Sequence, residues 1–238
     1  MNEELGNTAR SSDRLAQLPI DPRIVSLQVE VSDAASVVAP ATAAADVTLL
    51  INNAGVLDFG SVMDAPMAAF KRNFATDFYG VLGMSRAFAP VVEKNGGGVI
   101  VNLLTLMALA SMPGLGVYNA SNAETWSLTQ SMRARQVARK IAVFSVFPGA
   151  VDTDMLAGVE MPKTSPADIA AVVMRVLHQS TEDIFPDAMF SGLYAAWKAD
   201  HKAIEKQFAA VQRGTPAARS ISPQSLRSCA SLNGMELE

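Results

Sequence analysis

The chain has 238 residues, half of them apolar and 18% charged, with a formal net charge of −4. This composition suits a globular domain with a substantial core, and the acidic balance, with a pI near 5.3, argues against a nucleic-acid or anionic-membrane surface. The lone cysteine, Cys229, rules out an internal disulfide, and the polar start carries no apolar run of the kind a secretory signal needs, so a cytoplasmic protein is expected.

Residues 1–20 are polar and weakly periodic and are set apart as an N-terminal segment. Residues 23–31, RIVSLQVEV, are rich in β-branched side chains and predict a strand. A capping serine opens a short helical stretch over 32–45. DVTLLI, residues 46–51, is a continuous apolar run that ends in N-N-A-G and predicts a strand buried on both faces. A long helical region follows, and its later part, 76–95, is apolar on more than one face. VIVNLL (99–104) and IAVFSVF (141–147) predict two more buried strands, the second closed by Pro148-Gly149. Between them a helix is expected over 117–140. Its last eight residues, RARQVARK, read as a solvated helix end with cations near its C-terminus.

SPADIAAVVMRVLHQS (165–180) has a cap, a proline at the first helical position and helical apolar spacing. A last short strand is expected at 183–185 and a helix at 199–211. Residues 213–238 are Ser/Pro/Arg-rich without a period and are expected to be a disordered tail, leaving 21–212 as the folded domain. Strands alternating with helices predict a mostly parallel sheet with right-handed crossovers. Ligands of such sheets bind beyond the carboxyl ends of the strands, where N-N-A-G, Thr105 and Pro148-Gly149 fall. His178, His201 and Cys229 are too far apart in sequence to suggest a metal site.

Taken together, DVTLLINNAG, GGGVIVNLLT, YNASNAETWSLTQSMR and VFPGAVDTDM resemble the short-chain dehydrogenase/reductase superfamily, over about residues 9–211. The resemblance implies a Rossmann-like α/β domain, an NAD(P)(H) cofactor and a small carbonyl or alcohol substrate. It also implies a homodimer or homotetramer assembled through the helices at 76–95 and 117–140. Tyr118 matches the family's proton-transferring tyrosine and Thr105 the hydroxyl that polarises the substrate oxygen. Asn122 stands at the position of the family's lysine and Asp77 at that of its asparagine. Asn53, Ala54 and Gly55 match the adenosine-side loop, and Glu30 and Val31 the pair that contacts adenine. Pro148, Gly149, Val151 and Thr153 match the loop against the nicotinamide carboxamide, and Arg10 falls near an NADP 2′-phosphate. Residues 154–161, DMLAGVEM, match a substrate-covering segment and equally suit an ordinary amphipathic loop-helix.

The sequence departs from this family in three places. Tyrosine ordinarily titrates near pH 10, so about one molecule in a thousand is phenolate at pH 7. Asn122 removes the cation that would lower that value, and Asp77 adds an anion that would raise it. Both changes impair alcohol oxidation more than ketone reduction, because a neutral phenol still donates its proton. The third departure is the Gly-rich TGxxxGxG turn, which does not occur in the 238 residues. The resemblance therefore implies a domain without the first βαβ unit. Residues 23–31 and 46–51 must then pair directly, or a sheet edge is left open. Three readings follow: a weakened oxidoreductase, a non-catalytic scaffold or binding protein of the same descent, and a truncated or degenerate gene product.

Overall fold

The computed structural model describes residues 5–9, 21–179 and 181–213, with no side-chain placement at 5–9 and 211–213. Six strands are present: β1 (Leu5–Ala9), β2 (Ile24–Gln28), β3 (Leu49–Asn52), β4 (Gly98–Leu103), β5 (Ile141–Val146) and β6 (Asp183–Ile184). They form two parallel sheets, β1-β2 and β3-β4-β5-β6. Seven α-helices connect and cover them: α1 (Ala34–Ala43), α2 (Met67–Asn73), α3 (Val81–Lys94), α4 (Gly116–Gln136), α5 (Pro166–Val176), α6 (Ala188–Ala199) and α7 (His201–Arg213).

Direct pairing of the segments at 23–31 and 46–51 does not occur. β2 pairs with β1, register Leu5↔Ile24 to Ala9↔Gln28, and β3 has β4 as its one partner among the described residues. A strand therefore occupies part of the segment expected to be irregular. Five residues are too few to show periodicity, and their partner supplies the order. The two sheets still share a core, because Val29 just beyond β2 packs in one cluster with Leu50 of β3, Val37 and Ala41 of α1, and Phe88 and Val92 of α3. On the opposite face Val101, Phe144 and Val146 pack against Ile169 and Val173 of α5. Ile51 corrects the expectation of a strand buried on both faces: it is 44% exposed, on the wall of the cavity described below.

Two helices were not foreseen as they stand. α6 was missed, although Asp187 caps it through Phe190 N–H at 2.8 Å; its weak polar face and internal Gly192 hide the period. Between α2 and α3 the chain winds through a π-helical turn, Phe74–Gly80. Such turns insert one residue into a helix and favour functional sites.

Within the basic stretch at the end of α4, Arg135 and Lys140 are exposed as expected and Arg133 is not. The Arg133 side chain is 13% exposed. Its guanidinium donates to the carbonyls of Val143 (3.0 Å) and Glu182 (2.9 Å), to Ser145 Oγ (3.0 Å) and to Asp183. It ties α4 to β5 and β6 instead of facing solvent. Among the described residues no helix is long and apolar enough to cross a membrane.

Candidate active site

The carboxyl ends of β3, β4 and β5 open onto one cavity of about 1050 Å3. Asn53, Ala54 and Gly55 follow β3 on its wall, Thr105 follows β4, and Pro148 and Gly149 follow β5. Val151 and Thr153 continue that wall, and Val31 lines it from the end of the β2 segment. The Gly149 N–H donates to Asp187 Oδ2 at 2.8 Å, so the cap of α6 also fixes this loop. A Cβ on residue 149 would lie 2.6 Å from the Phe190 ring, which is why the loop carries glycine there.

Tyr118 and Thr105 meet on this wall. Tyr118 sits in the first turn of α4, with the Thr105 hydroxyl near enough to its phenol to favour the ionised form. Burial, and then the charge of Asp77, push the phenol well above the ordinary tyrosine range; the nearby Thr105 hydroxyl pulls the other way without offsetting them. Tyr118 is therefore a neutral phenol at physiological pH.

Asp77 occupies the π-helical turn. Its Oδ1 accepts Val56 N–H and its Oδ2 accepts the Ser121 hydroxyl, each at 2.9 Å. The Asp77 carbonyl accepts the Thr125 hydroxyl at 2.8 Å, tying the turn to α4. Burial pushes the carboxyl up to about 7, against the two hydrogen bonds that lower it, and Asp58 adds a smaller upward push. Asn122, on the cavity wall and 4% exposed, donates from Nδ2 to the Tyr118 carbonyl at 3.1 Å. It supplies no charge to the site.

Of the residues expected at the site, Glu30 is placed elsewhere. The Glu30 carboxylate accepts the Ser32 hydroxyl at 2.7 Å and its N–H at 3.2 Å, within its own turn and off the cavity wall. Arg10 lies outside the described residues. The segment 154–161 contributes Met155, Leu156 and Met161 to the cavity wall.

Several residues escaped sequence reasoning. Ser121, inside Y-N-A-S-N, bridges Asp77 and the Tyr118 carbonyl. Behind the wall, Asn52 Nδ2 donates to Asn102 Oδ1 at 2.8 Å, and Asn102 Nδ2 donates to Thr129 Oγ1 at 2.9 Å, all three residues buried. Polar letters inside apolar strand runs were the available signal for both asparagines. Asp58 pairs with Arg72 on the cavity border and also accepts from Asn73. Among the described residues no group of three or more His, Cys, Asp or Glu side chains is arranged to hold a metal ion.

A parallel α/β sheet that gathers a hydroxyl, a tyrosine and two loop edges at its carboxyl end places its ligand site there. A sequence model of the short chain dehydrogenase family matches residues 4–163, and the chain belongs to that family. The 7alpha-hydroxysteroid dehydrogenase of Escherichia coli K12 is 32% identical over 144 residues, 60% of this chain and 56% of that protein. The Bacillus subtilis oxidoreductase YusZ is 29% identical over 130 residues, 53% of this chain and 46% of that protein. The chain spans between 19% and 56% of the length of these and the other first curated relatives it matches. A short chain dehydrogenase from Burkholderia cenocepacia J2315, solved in complex with NADP, superposes with a TM-score of 0.82 at 28% identity, covering 90% of this chain and 87% of that one.

Proposed function

We propose that the protein is an NAD(P)(H)-dependent carbonyl/alcohol oxidoreductase that works weakly and in the reducing direction. The observation that carries this reading is the placing of Thr105 and Tyr118 together on the wall of a cavity large enough for a cofactor and a substrate together. A carbonyl oxygen seated between the two hydroxyls can be polarised by Thr105 and protonated by Tyr118. A nicotinamide dinucleotide, when bound, supplies the hydride. The reverse reaction needs a phenolate, and burial beside Asp77 opposes one.

The residues present fit part of the cofactor. The Pro148–Thr153 loop and Asn122 suit the nicotinamide and its ribose, and Val31 with Asn53–Gly55 suits the adenosine end. No glycine-rich turn for the pyrophosphate is found among the described residues. Arg10 keeps the 2′-phosphate role that the family resemblance implies, so the choice of NAD or NADP rests on it, while the Glu30 carboxylate is engaged by Ser32. A homodimer or homotetramer in the cytoplasm completes the reading, with Tyr79 and Val137 (61% and 74% exposed) on the helical faces proposed to associate.

Titration with NADPH and with NADH tests this. Micromolar binding of either, and ketone-dependent oxidation that Tyr118→Phe lowers by roughly 100-fold or more, would support it. Binding of neither would sink it. The second reading, a non-catalytic scaffold, draws on Asn122, whose amide is engaged by its own helix. It is favoured if neither nucleotide binds yet the protein is a stable oligomer.

A further inference from the structure

The cavity has two unlike ends. Near the strand ends it presents hydroxyls and amides: Thr105, Tyr118, Asn53 and Asn122. The other end lies under α6, α7 and the covering loop, where Phe190, Leu193, Phe208, Met155, Leu156 and Met161 line it. Most of these belong to one apolar cluster built on Ile204 and Phe208 of α7. Methionine side chains adapt to irregular apolar bodies, so this end suits a bulky ligand better than a small polar one. Of the charged groups on the wall, Asp58 and Arg72 are paired with each other.

One polar side chain interrupts the apolar end. Gln207, half-buried on α7 one residue before Phe208, lines the cavity. None of the described residues gives its amide a hydrogen-bond partner. An amide facing an apolar cavity favours a ligand that brings its own hydroxyl or carbonyl there.

We propose that the substrate is a bulky, neutral, largely apolar ketone or secondary alcohol with a second hydroxyl or carbonyl remote from the reacting carbon, and that Gln207 recognises that remote group. The reacting carbonyl rests on the oxidoreductase reading above. The fit of the body and its remote group rests on the cavity.

The test is calorimetric binding, without nucleotide, of three probes: 2-decalone, a 2-decalone hydroxylated on the ring far from the carbonyl, and dihydroxyacetone. Both decalones should bind more tightly than dihydroxyacetone, the hydroxylated one by a further factor of roughly three to ten. In Gln207→Met that advantage should vanish while 2-decalone binds at least as well. Gln207→Glu, which keeps an acceptor, should restore it. Unchanged melting temperatures show that both variants fold. Tighter binding of dihydroxyacetone, or a hydroxyl advantage that survives in Gln207→Met, would overturn the proposal. Nucleotide titration separates the two readings. If no nucleotide binds but the decalone pattern holds, the cavity assignment stands and the oxidoreductase reading falls. If NAD(P)H binds and dihydroxyacetone is the better ligand and substrate, the reverse is true.

Discussion

Asp77 raises the Tyr118 phenol and Asn122 lies on the same cavity wall, and each can be changed alone. A lysine at 122 would bring a cation to the wall that Tyr118 shares, and a neighbouring cation lowers a phenol's pKa by roughly one to three units. Asn122→Lys should raise ketone reduction by about tenfold or more in kcat/KM. It should also move the basic limb of the pH profile down, as followed by NAD(P)H absorbance. Asp77 bears on stability as well. Its carboxyl is ordinarily near 3.8 and is pushed up to about 7. Between those values the folded chain holds a proton that the unfolded chain has released. Stability is thus full below about pH 4 and is lost as the pH rises through 7. Asp77→Asn removes the ionisation, keeps an acceptor for Val56 N–H, and leaves Ser121 its bond to the Tyr118 carbonyl. Its melting temperature should be flat between pH 5 and 8, where that of the native chain falls. Parallel curves for the two proteins would show that Asp77 does not titrate in this range.

At the scale of elements, the asparagines buried behind the site join β3, β4 and α4 through side chains. Asn102→Ala removes two buried side-chain bonds and leaves a small void, although Asn52 Nδ2 keeps Ser85 Oγ and the Thr129 hydroxyl keeps the Thr125 carbonyl, and should cost about 2–3 kcal/mol. That corresponds to a fall of roughly 5–10 °C in melting temperature by calorimetry. Glycines in and near one helix should respond oppositely to alanine. Gly97, beyond the end of α3, has φ +105, and a Cβ there would lie 2.3 Å from the Lys140 carbonyl oxygen. Gly83 lies within α3 with nothing inside 4 Å. Gly97→Ala should destabilise by about 3 kcal/mol and Gly83→Ala stabilise by roughly 0.5–1 kcal/mol, both read from urea midpoints.

Legibility also varied by element. β4, β5 and α5 lie within a residue or a few of the segments predicted for them, because long apolar runs and a Ser-Pro cap are local signals. α6 was not legible, although Phe190, Tyr194 and Trp197 stand at helical spacing, because its surroundings supply the contrast that its own sequence lacks. The same division holds at the site. Thr105 and Tyr118 could be found from motif spacing. Gln207 and the Asp58–Arg72 pair could not, since the fold alone brings α7 and the loop after β3 to one cavity.

For the whole molecule, two parallel sheets share a core without sharing a ladder, and β3 offers its second edge to no strand among the described residues. Open edges invite pairing with other chains, while the proposed oligomer uses helices. Light scattering coupled to gel filtration should give a dimer or tetramer of constant mass across dilution. A mass that keeps growing with concentration would point to edge-to-edge association instead. Hydrogen exchange should rank the strands: amides of β4 and β5, flanked on both sides, should outlast those of β3.

The π-helical turn at 74–80 has a consequence for how this chain can change length. The single residue it adds acts as a phase offset between α2 and α3, and Asp77 faces Val56 and Ser121 because of that offset. Deleting any one residue of the turn would restore ordinary winding and rotate everything before it by about 100° relative to α3. A substitution here alters one side chain, whereas a one-residue deletion would re-aim a whole helix and its loop. This stretch should therefore accept changes of letter far more readily than changes of number.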